Sequence, residues 1–421
     1  MQNNLKNYDV LIIGAGPAGS NAAISYKSLY PNLKVALIDK AIFPRDKSCG
    51  DAIGPGVINA LKRFNNQHIL ENEPEVVSTT LYGPDNVGIQ NYIPKVKNKD
   101  DSIVYVIPRL DLDNRILNLA KNKDVDVYEG HSFLDFEVLE DRSINVSVME
   151  NTETIMFKTK ILVGADGANS RVRKKLTLGQ NSDWHKALAI RAYIDSPNYI
   201  EIFEERTLMF EINVSAEKGY AWAFPSKGNL LNIGIGVPVS IFKKDKLDIN
   251  ELLDKFIEQL KNRGVKVENI RKKKSYILPF ASSIPKRFKD KNIVLIGDAS
   301  SMINPMSGEG IFYGMEAGYL LAKNTKDLSH PDSINNGISE YEKEFKKRFK
   351  KHYLSCAIAR LLLQSPFMTR RLLKVASNDQ NTIDFVVELL FDEAYLTLKE
   401  VVKIGIKFLL PNKIFSLLQK K

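Results

Sequence analysis

The run Gly14-Ala15-Gly16-Pro17-Ala18-Gly19, directly behind an apolar stretch, constrains this chain more than any other segment. Residues 8–13 (Tyr-Asp-Val-Leu-Ile-Ile) have the composition of a buried strand, and the segment up to about Leu29 has that of a helix. A second strand is expected over Lys34–Ile38, ending at Asp39, twenty residues past Gly19. Strand, glycine turn, helix, strand and acid in this order supply the parts of a dinucleotide site. Gly14 permits the tight turn, Gly16 lets the backbone approach a pyrophosphate, and Gly19 lets the helix pack closely on the strand. Ala18 lies inside this turn, and the helix N-terminus faces the phosphate charge. Asp39 stands where a carboxylate accepts hydrogen bonds from an adenosine ribose, with Lys40 beside it in the same expected set. The spacing alone suits FAD and NAD equally.

Two further glycine-rich segments narrow the choice. An apolar strand over Ile161–Val163 precedes Gly164-Ala165-Asp166-Gly167-Ala168-Asn169-Ser170-Arg171-Val172-Arg173. Another, over Asn292–Ile296, ends in Gly297-Asp298-Ala299, and the loop Asn304-Pro305-Met306-Ser307-Gly308-Glu309-Gly310 leads into a helix near Ile311. Asp298 suits a ribityl hydroxyl. The amides near Gly308–Ile311 open a helix whose positive end suits a flavin region gaining charge on reduction. Taken singly, Asp-Gly is a plain turn and Gly-Asp a plain strand end; taken together in order, they point to FAD.

The three segments resemble the FAD motifs of the group-A flavoprotein family, whose fold is that of para-hydroxybenzoate hydroxylase. The resemblance implies a Rossmann-like α/β FAD-binding domain. It adds Asp166, Gly167, Pro305, Gly308, Gly310 and Ile311 to the cofactor set, together with Arg109, which is similar to the arginine that family places before the helix flanking the flavin. A narrower resemblance, to geranylgeranyl reductases, lies in Phe43-Pro44-Arg45-Asp46-Lys47-Ser48-Cys49-Gly50-Asp51 and in Gly219-Tyr220-Ala221-Trp222-Ala223-Phe224-Pro225, which matches their YxWxFP signature. That family reduces isolated C=C bonds in the prenyl chains of chlorophyll precursors, ether lipids and quinones. It implies Cys49 and Gly50 at the flavin, Tyr220, Trp222, Phe224 and Pro225 along the prenyl chain, and Cys49, Tyr220 and Trp222 as the catalytic candidates. A hydride from the flavin to one carbon and a proton to the other complete the reaction. Read without the resemblance, Tyr220, Trp222 and Phe224 are alternate aromatics of a strand packing one core face. Cys49 is equally a small residue in a glycine-rich loop. The alternative function is an FAD-dependent monooxygenase acting on a small apolar or aromatic substrate; a WxWxIP halogenase motif is absent from the sequence.

The expected organisation is discontinuous: an FAD-binding domain over 1–75, 100–185 and 285–335, an inserted sheet-based substrate domain over 76–99 and 186–284, and a helical region over 336–421. A second dinucleotide fingerprint is missing, since Gly234-Ile235-Gly236 sits in a strand-like run. Electrons therefore come from a transient donor, NADPH, NADH or a reduced ferredoxin-type protein. His68, His131, His185, His330 and His352 show no paired spacing, so no metal site is expected, nor is there a P-loop or a Gly-x-Ser-x-Gly elbow.

Charge and cysteine content bound the setting. Two cysteines in 421 residues argue for a reducing, cytoplasmic compartment. The polar Met1–Asn7 does not read as an export signal, and no run reaches the roughly 20 apolar residues of a spanning helix. The net charge is +10, of which +7 falls within 340–421, and basic residues are not interleaved with aromatics as in a nucleic-acid groove. Lys399, Lys403 and Lys407 recur every fourth residue, on a different helical face from Leu398, Val401, Val402, Phe408 and Leu409. Such an amphipathic helix either packs on the protein's own core or meets anionic headgroups at the inner membrane surface, where a prenyl lipid is found.

Overall fold

Val10–Ile13 are apolar on both sides of the chain because the strand that holds them, Lys6–Ile13, is covered on both faces. In the computed structural model, which describes residues 5–84, 88–92, 104–179, 181–215, 218–281, 291–377, 379–391 and 394–397, the chain divides into two units. The first comprises Met1–Glu73, Ile107–Ala187 and Tyr276–Arg348. Its sheet runs in the order Asp126–Glu129, Val35–Asp39, Lys6–Ile13, Glu153–Gly164, Ile144–Glu150, His131–Val138. Strand Ile293–Leu295 pairs in parallel with the end of Glu153–Gly164, Leu162 facing Ile293. Parallel pairing at one side and antiparallel hairpins at the other meet on Glu153–Gly164. The three glycine-rich segments thus leave the carboxyl ends of neighbouring parallel strands, where open α/β sheets bind ligands. Leu11, Ile38, Phe157, Leu162 and Leu295 share one core beneath them.

The second unit comprises Pro74–Val106, Leu188–Ser275 and Phe349–Lys421. Its sheet has the order Glu268–Pro279, Lys186–Asp195, Leu230–Pro238, Tyr220–Pro225, Thr207–Ile212, Ser78–Tyr82, Gly88–Tyr92. Helix Ile249–Asn262 lays Leu252, Leu253, Phe256, Ile257 and Leu260 on one face of it, against Ile190, Ala221, Ala223, Ile233 and Ile235. Of the helical stretch that opens at Pro331, residues to Arg348 fall in the first unit and those from Phe349 in the second. The expected amphipathic helix around Lys399–Leu409 lies outside the described residues. Among the described residues, no helix is long and apolar enough to cross a membrane.

Candidate active site

The turn between Lys6–Ile13 and the helix Pro17–Leu29 leaves no room for side chains. Gly14 adopts φ +107°, and a Cβ on Gly19 would lie 1.9 Å from the Gly14 carbonyl oxygen. The Gly14 amide donates to the Ile38 carbonyl and the Ala165 amide to the Ile13 carbonyl, both at 2.7 Å. Asp39 braces the same turn: its Oδ2 accepts from Ala15 N and its Oδ1 from Ala41 N, each at 2.8 Å. Each carboxylate oxygen keeps a further lone pair for a ribose hydroxyl. Lys40 beside it is exposed. Gly16 precedes Pro17 at the helix start and supplies no side-chain cap, so the first-turn amides have no intrahelical partner. Ala18 packs on the backbone of Gly297, which draws the first and third segments together.

Asp298, just past strand Ile293–Leu295, is the centre of a half-buried polar cluster. Lys47 Nζ donates to its Oδ2 at 2.9 Å, and the Tyr276 hydroxyl donates to the same oxygen at 3.3 Å. Tyr276 in turn accepts from Ala168 N at 3.2 Å, and its ring lies 5.0 Å from the Lys47 ammonium. Burial pushes the Asp298 carboxyl up, but Lys47, with Arg109 and the Tyr276 hydrogen bond, outweighs it and holds the group below the usual carboxylate range. Conversely, burial pushes the Lys47 ammonium down, and Asp298 more than offsets it, leaving Lys47 raised. Tyr276 is raised by burial, against the pull of Lys47. Asp298 Oδ1 approaches Gly310, where a Cβ would stand 3.2 Å away.

Gly310 begins the helix Ile311–Asn324, again with no side-chain cap. The loop before it is closed by buried Asn304, whose Oδ1 accepts from Met306 N and whose backbone N–H donates to the Glu309 carbonyl, both at 2.8 Å. Buried Pro305 and the Gly308 amide, which donates to the Asn304 carbonyl at 3.0 Å, complete it.

Arg109 is the first residue of helix Arg109–Lys121 and is buried. Its Nε and Nη2 donate to Asp113 Oδ1 and Oδ2 one turn on, at 2.5 and 2.7 Å, and Arg45 Nη1 donates to the same Oδ2 at 2.7 Å. Cys49 lies within hydrogen-bond reach of Arg109. Burial pushes the Cys49 thiol up, and Arg109 opposes this without overcoming it, so the sulfur stays protonated at neutral pH. Gly50 follows, half-buried. Asp166 caps the short helix Arg171–Lys175, its Oδ2 accepting from Arg171 N at 2.7 Å and Val172 N at 3.2 Å, with Gly167 in the turn between. Its buried Oδ1 makes no hydrogen bond among the described residues.

The first unit therefore brings Gly14, Gly19, Ala18, Asp39, Asp298, Gly310 and Ile311 to one end of one sheet. Arg45, Lys47, Asp113 and Tyr276 join them without having been singled out from sequence. Two uncapped helix N-termini, a charged Asp298 at one of them and an unpaired buried Asp166 oxygen fit FAD: anionic pyrophosphate at the first helix, hydroxyl-rich ribityl chain at the acid, electron-accepting ring at the second.

Tyr220, Trp222, Phe224 and Pro225 lie on strand Tyr220–Pro225 of the second unit. Ala221 and Ala223 point to the core under helix Ile249–Asn262, so the three aromatics occupy the opposite sheet face. Their ring centroids step 5.8 Å from Tyr220 to Trp222 and 6.4 Å on to Phe224, with Phe210 5.0 Å from Phe224. Trp222 donates to Asn232 Oδ1 at 2.9 Å. Gly234, opposite Trp222 in register, makes room for the indole: a Cβ there would stand 2.1 Å from it. The Gly-Ile-Gly run is thus a packing feature of a strand.

Fold and site together define a group-A FAD-dependent oxidoreductase. Residues 7–352 match the family described as FAD binding domain, and the chain belongs to that family. It is 28% identical over 352 residues to a protein named menaquinone reductase from Mycolicibacterium smegmatis, covering 82% of this chain and 81% of the other. It is 26% identical over 416 residues, 94% of each chain, to one named digeranylgeranylglycerophospholipid reductase from Thermoplasma acidophilum. In fold it is similar to a geranylgeranyl bacteriochlorophyll reductase-like protein from Thermoplasma acidophilum, with a TM-score of 0.79 and 22% identity over 96% of this chain and all of that one.

Proposed function

We propose that this oxidoreductase saturates C=C bonds in the prenyl chain of an isoprenoid lipid. Menaquinone and a digeranylgeranyl glycerophospholipid, in the names of the two relatives, differ in their head groups and share a polyprenyl chain. The observation that carries the reading is the aromatic row Tyr220, Trp222 and Phe224, placed on the sheet face away from the alanines that pack the core. Such a row suits a methyl-branched chain, whose burial yields about 25 cal/mol per Å² of apolar surface. Pro225 ends that wall.

Reduced FAD supplies the hydride. Around it, the residues bind, orient and protonate. Gly14, Gly16, Ala18 and Gly19 cradle the pyrophosphate, and Asp39, with Lys40 at its flank, takes the ribose. Lys47 keeps Asp298 ionised so that it accepts from the ribityl chain, with Asp166 and Gly167 beside it. Pro305, Gly308, Gly310 and Ile311 present amides to the ring. Arg109, fixed by Asp113 and Arg45, orients Cys49, and the protonated Cys49 thiol supplies the proton to the second carbon. Tyr220 and Trp222 hold the reacting bond in place. Electrons come from NADPH, NADH or a reduced ferredoxin, bound transiently, and the enzyme works at a membrane surface where its substrate resides.

The test is anaerobic turnover. Dithionite-reduced holoenzyme mixed with a geranylgeranyl lipid is expected to yield products heavier by two hydrogens per bond in mass spectrometry. Products containing an added oxygen, formed only in air, would instead assign a monooxygenase.

A further inference from the structure

The helix Pro331–Leu363 is two-faced in its last turns. His352, Tyr353 and Cys356 are buried, while Leu354 is 61% exposed and Ile358, Leu361 and Leu362 are exposed with it. Ile358 lies four residues past Leu354, and Leu361 and Leu362 lie three and four past Ile358, which places these four on one side of the helix. Large aliphatic residues are among the types most often buried, so a stripe of them in solvent calls for a ligand surface. The next helix, Pro366–Ala376, begins with Phe367 at 69% exposure, and Arg370 and Lys374 follow on the same side at three and seven residues, both exposed. Its opposite side buries Thr369, Leu373 and Val375.

Charge identifies the occupant. Residues 350–377 contain six Lys or Arg and no Asp or Glu. A protein–protein interface core is depleted in charge, whereas here exposed Arg370 and Lys374 share the side of their helix with exposed Phe367. A second copy of this chain would bring the same positive excess to the contact. The segment 398–421 would do likewise, with six Lys and one Glu. Apolar side chains entering the acyl boundary, with lysine and arginine at phosphate level, are the pattern of an interfacial element.

We infer that the face formed by Leu354, Ile358, Leu361 and Phe367, with Arg370 and Lys374, docks on a bilayer bearing anionic headgroups. This gives a location to the surface-acting part of the proposed function and rests on it, but it does not depend on which bond is reduced.

The experiment uses full-length holoenzyme and two vesicle types, phosphatidylcholine alone and phosphatidylcholine mixed with phosphatidylglycerol. Wild type is expected to co-sediment with the mixed vesicles and much less with the neutral ones. The combined variant L354Q/I358Q/L361Q, and separately R370E/K374E, should each weaken binding about tenfold or more, and only the charge-dependent part should fall with added salt. All five substituted positions are exposed, so flavin content and turnover of detergent-dispersed prenyl lipid should match wild type. Vesicle binding by both variants at the wild-type level would overturn the inference. So would a wild-type dimer that becomes monomeric in the leucine variant, since the face would then belong to a second copy, or loss of binding confined to K403E/K407E. Failure of the reductase reading looks different: no saturation of the prenyl lipid by any variant, with vesicle binding intact.

Discussion

At the residue scale the account turns on Lys47 and Asp298, 251 residues apart in sequence and 2.9 Å apart in space. Asp298 is depressed, so its contribution to stability is complete above the ordinary carboxylate value and is lost as pH falls through its lowered one. Lys47→Met removes the cation while leaving the burial, which then raises Asp298 against only Arg109 and the Tyr276 hydrogen bond. Acid loss of flavin fluorescence quenching and of melting temperature should therefore begin at a higher pH in Lys47→Met than in wild type; superimposable pH profiles would separate the pair from cofactor binding. Cys49 gives a second test. Cys49→Ala should lower kcat for the prenyl lipid by about 100-fold, in the range of a positioned proton donor, with flavin reduction by dithionite unchanged. Trp222→Ala should act on substrate instead, raising KM more than it lowers kcat, because the flavin segments belong to the other unit. Asp298 was legible in the sequence because Gly-Asp ends an apolar strand before a glycine loop. Its partners were not: Lys47 sits in an irregular segment and Tyr276 in a strand of mostly exposed, basic residues, and neither position carries a periodic signal.

The elements that hold the site depend on a buried ion cluster as much as on apolar packing. Glu316, in the middle of helix Ile311–Asn324, is nearly inaccessible; Arg63 Nη2 donates to both its oxygens, at 2.8 and 3.1 Å, and Arg348 meets it from helix Pro331–Leu363. Removing one member leaves buried charge unpaired. Glu316→Ala should cost about 3 kcal/mol in chemical denaturation, the lower end for a buried pair because both arginines keep some solvent. Since that helix presents its N-terminus at Gly310, the variant should also release FAD more readily, read by equilibrium dialysis. Strands and helices around the glycine motifs were legible from apolar runs and turn residues. Glu153–Gly164 extends eight residues before the expected Ile161 because its first half is an antiparallel hairpin partner, where Lys158 and Lys160 alternate with buried Phe157 and Thr159 and mask the strand. The aromatic strand shows the limit of pattern reading: alternation fixed two faces, but which one holds the core followed only from the helix laid over Ala221 and Ala223.

On the scale of the whole molecule, the +10 charge and the glycine segments describe different parts of the enzyme's work. The glycines, Asp39 and Asp298 gather at the carboxyl ends of one sheet, as the order of the motifs along the chain implied. Basic residues without acidic neighbours collect over 350–377, where exposed Leu354, Ile358 and Phe367 accompany them. Order along the chain could reveal the first arrangement because strand–turn–helix spacing is local. It could not reveal the second, because whether an apolar stripe faces its own core or solvent depends on the rest of the fold. The reductase claim is tested most directly by mixing dithionite-reduced holoenzyme with a geranylgeranyl lipid under strict anaerobiosis and weighing the product. The account predicts flavin reoxidation coupled to a gain of two hydrogens per bond, without oxygen. An unchanged lipid beside a flavin that reoxidises only when air is admitted would contradict it.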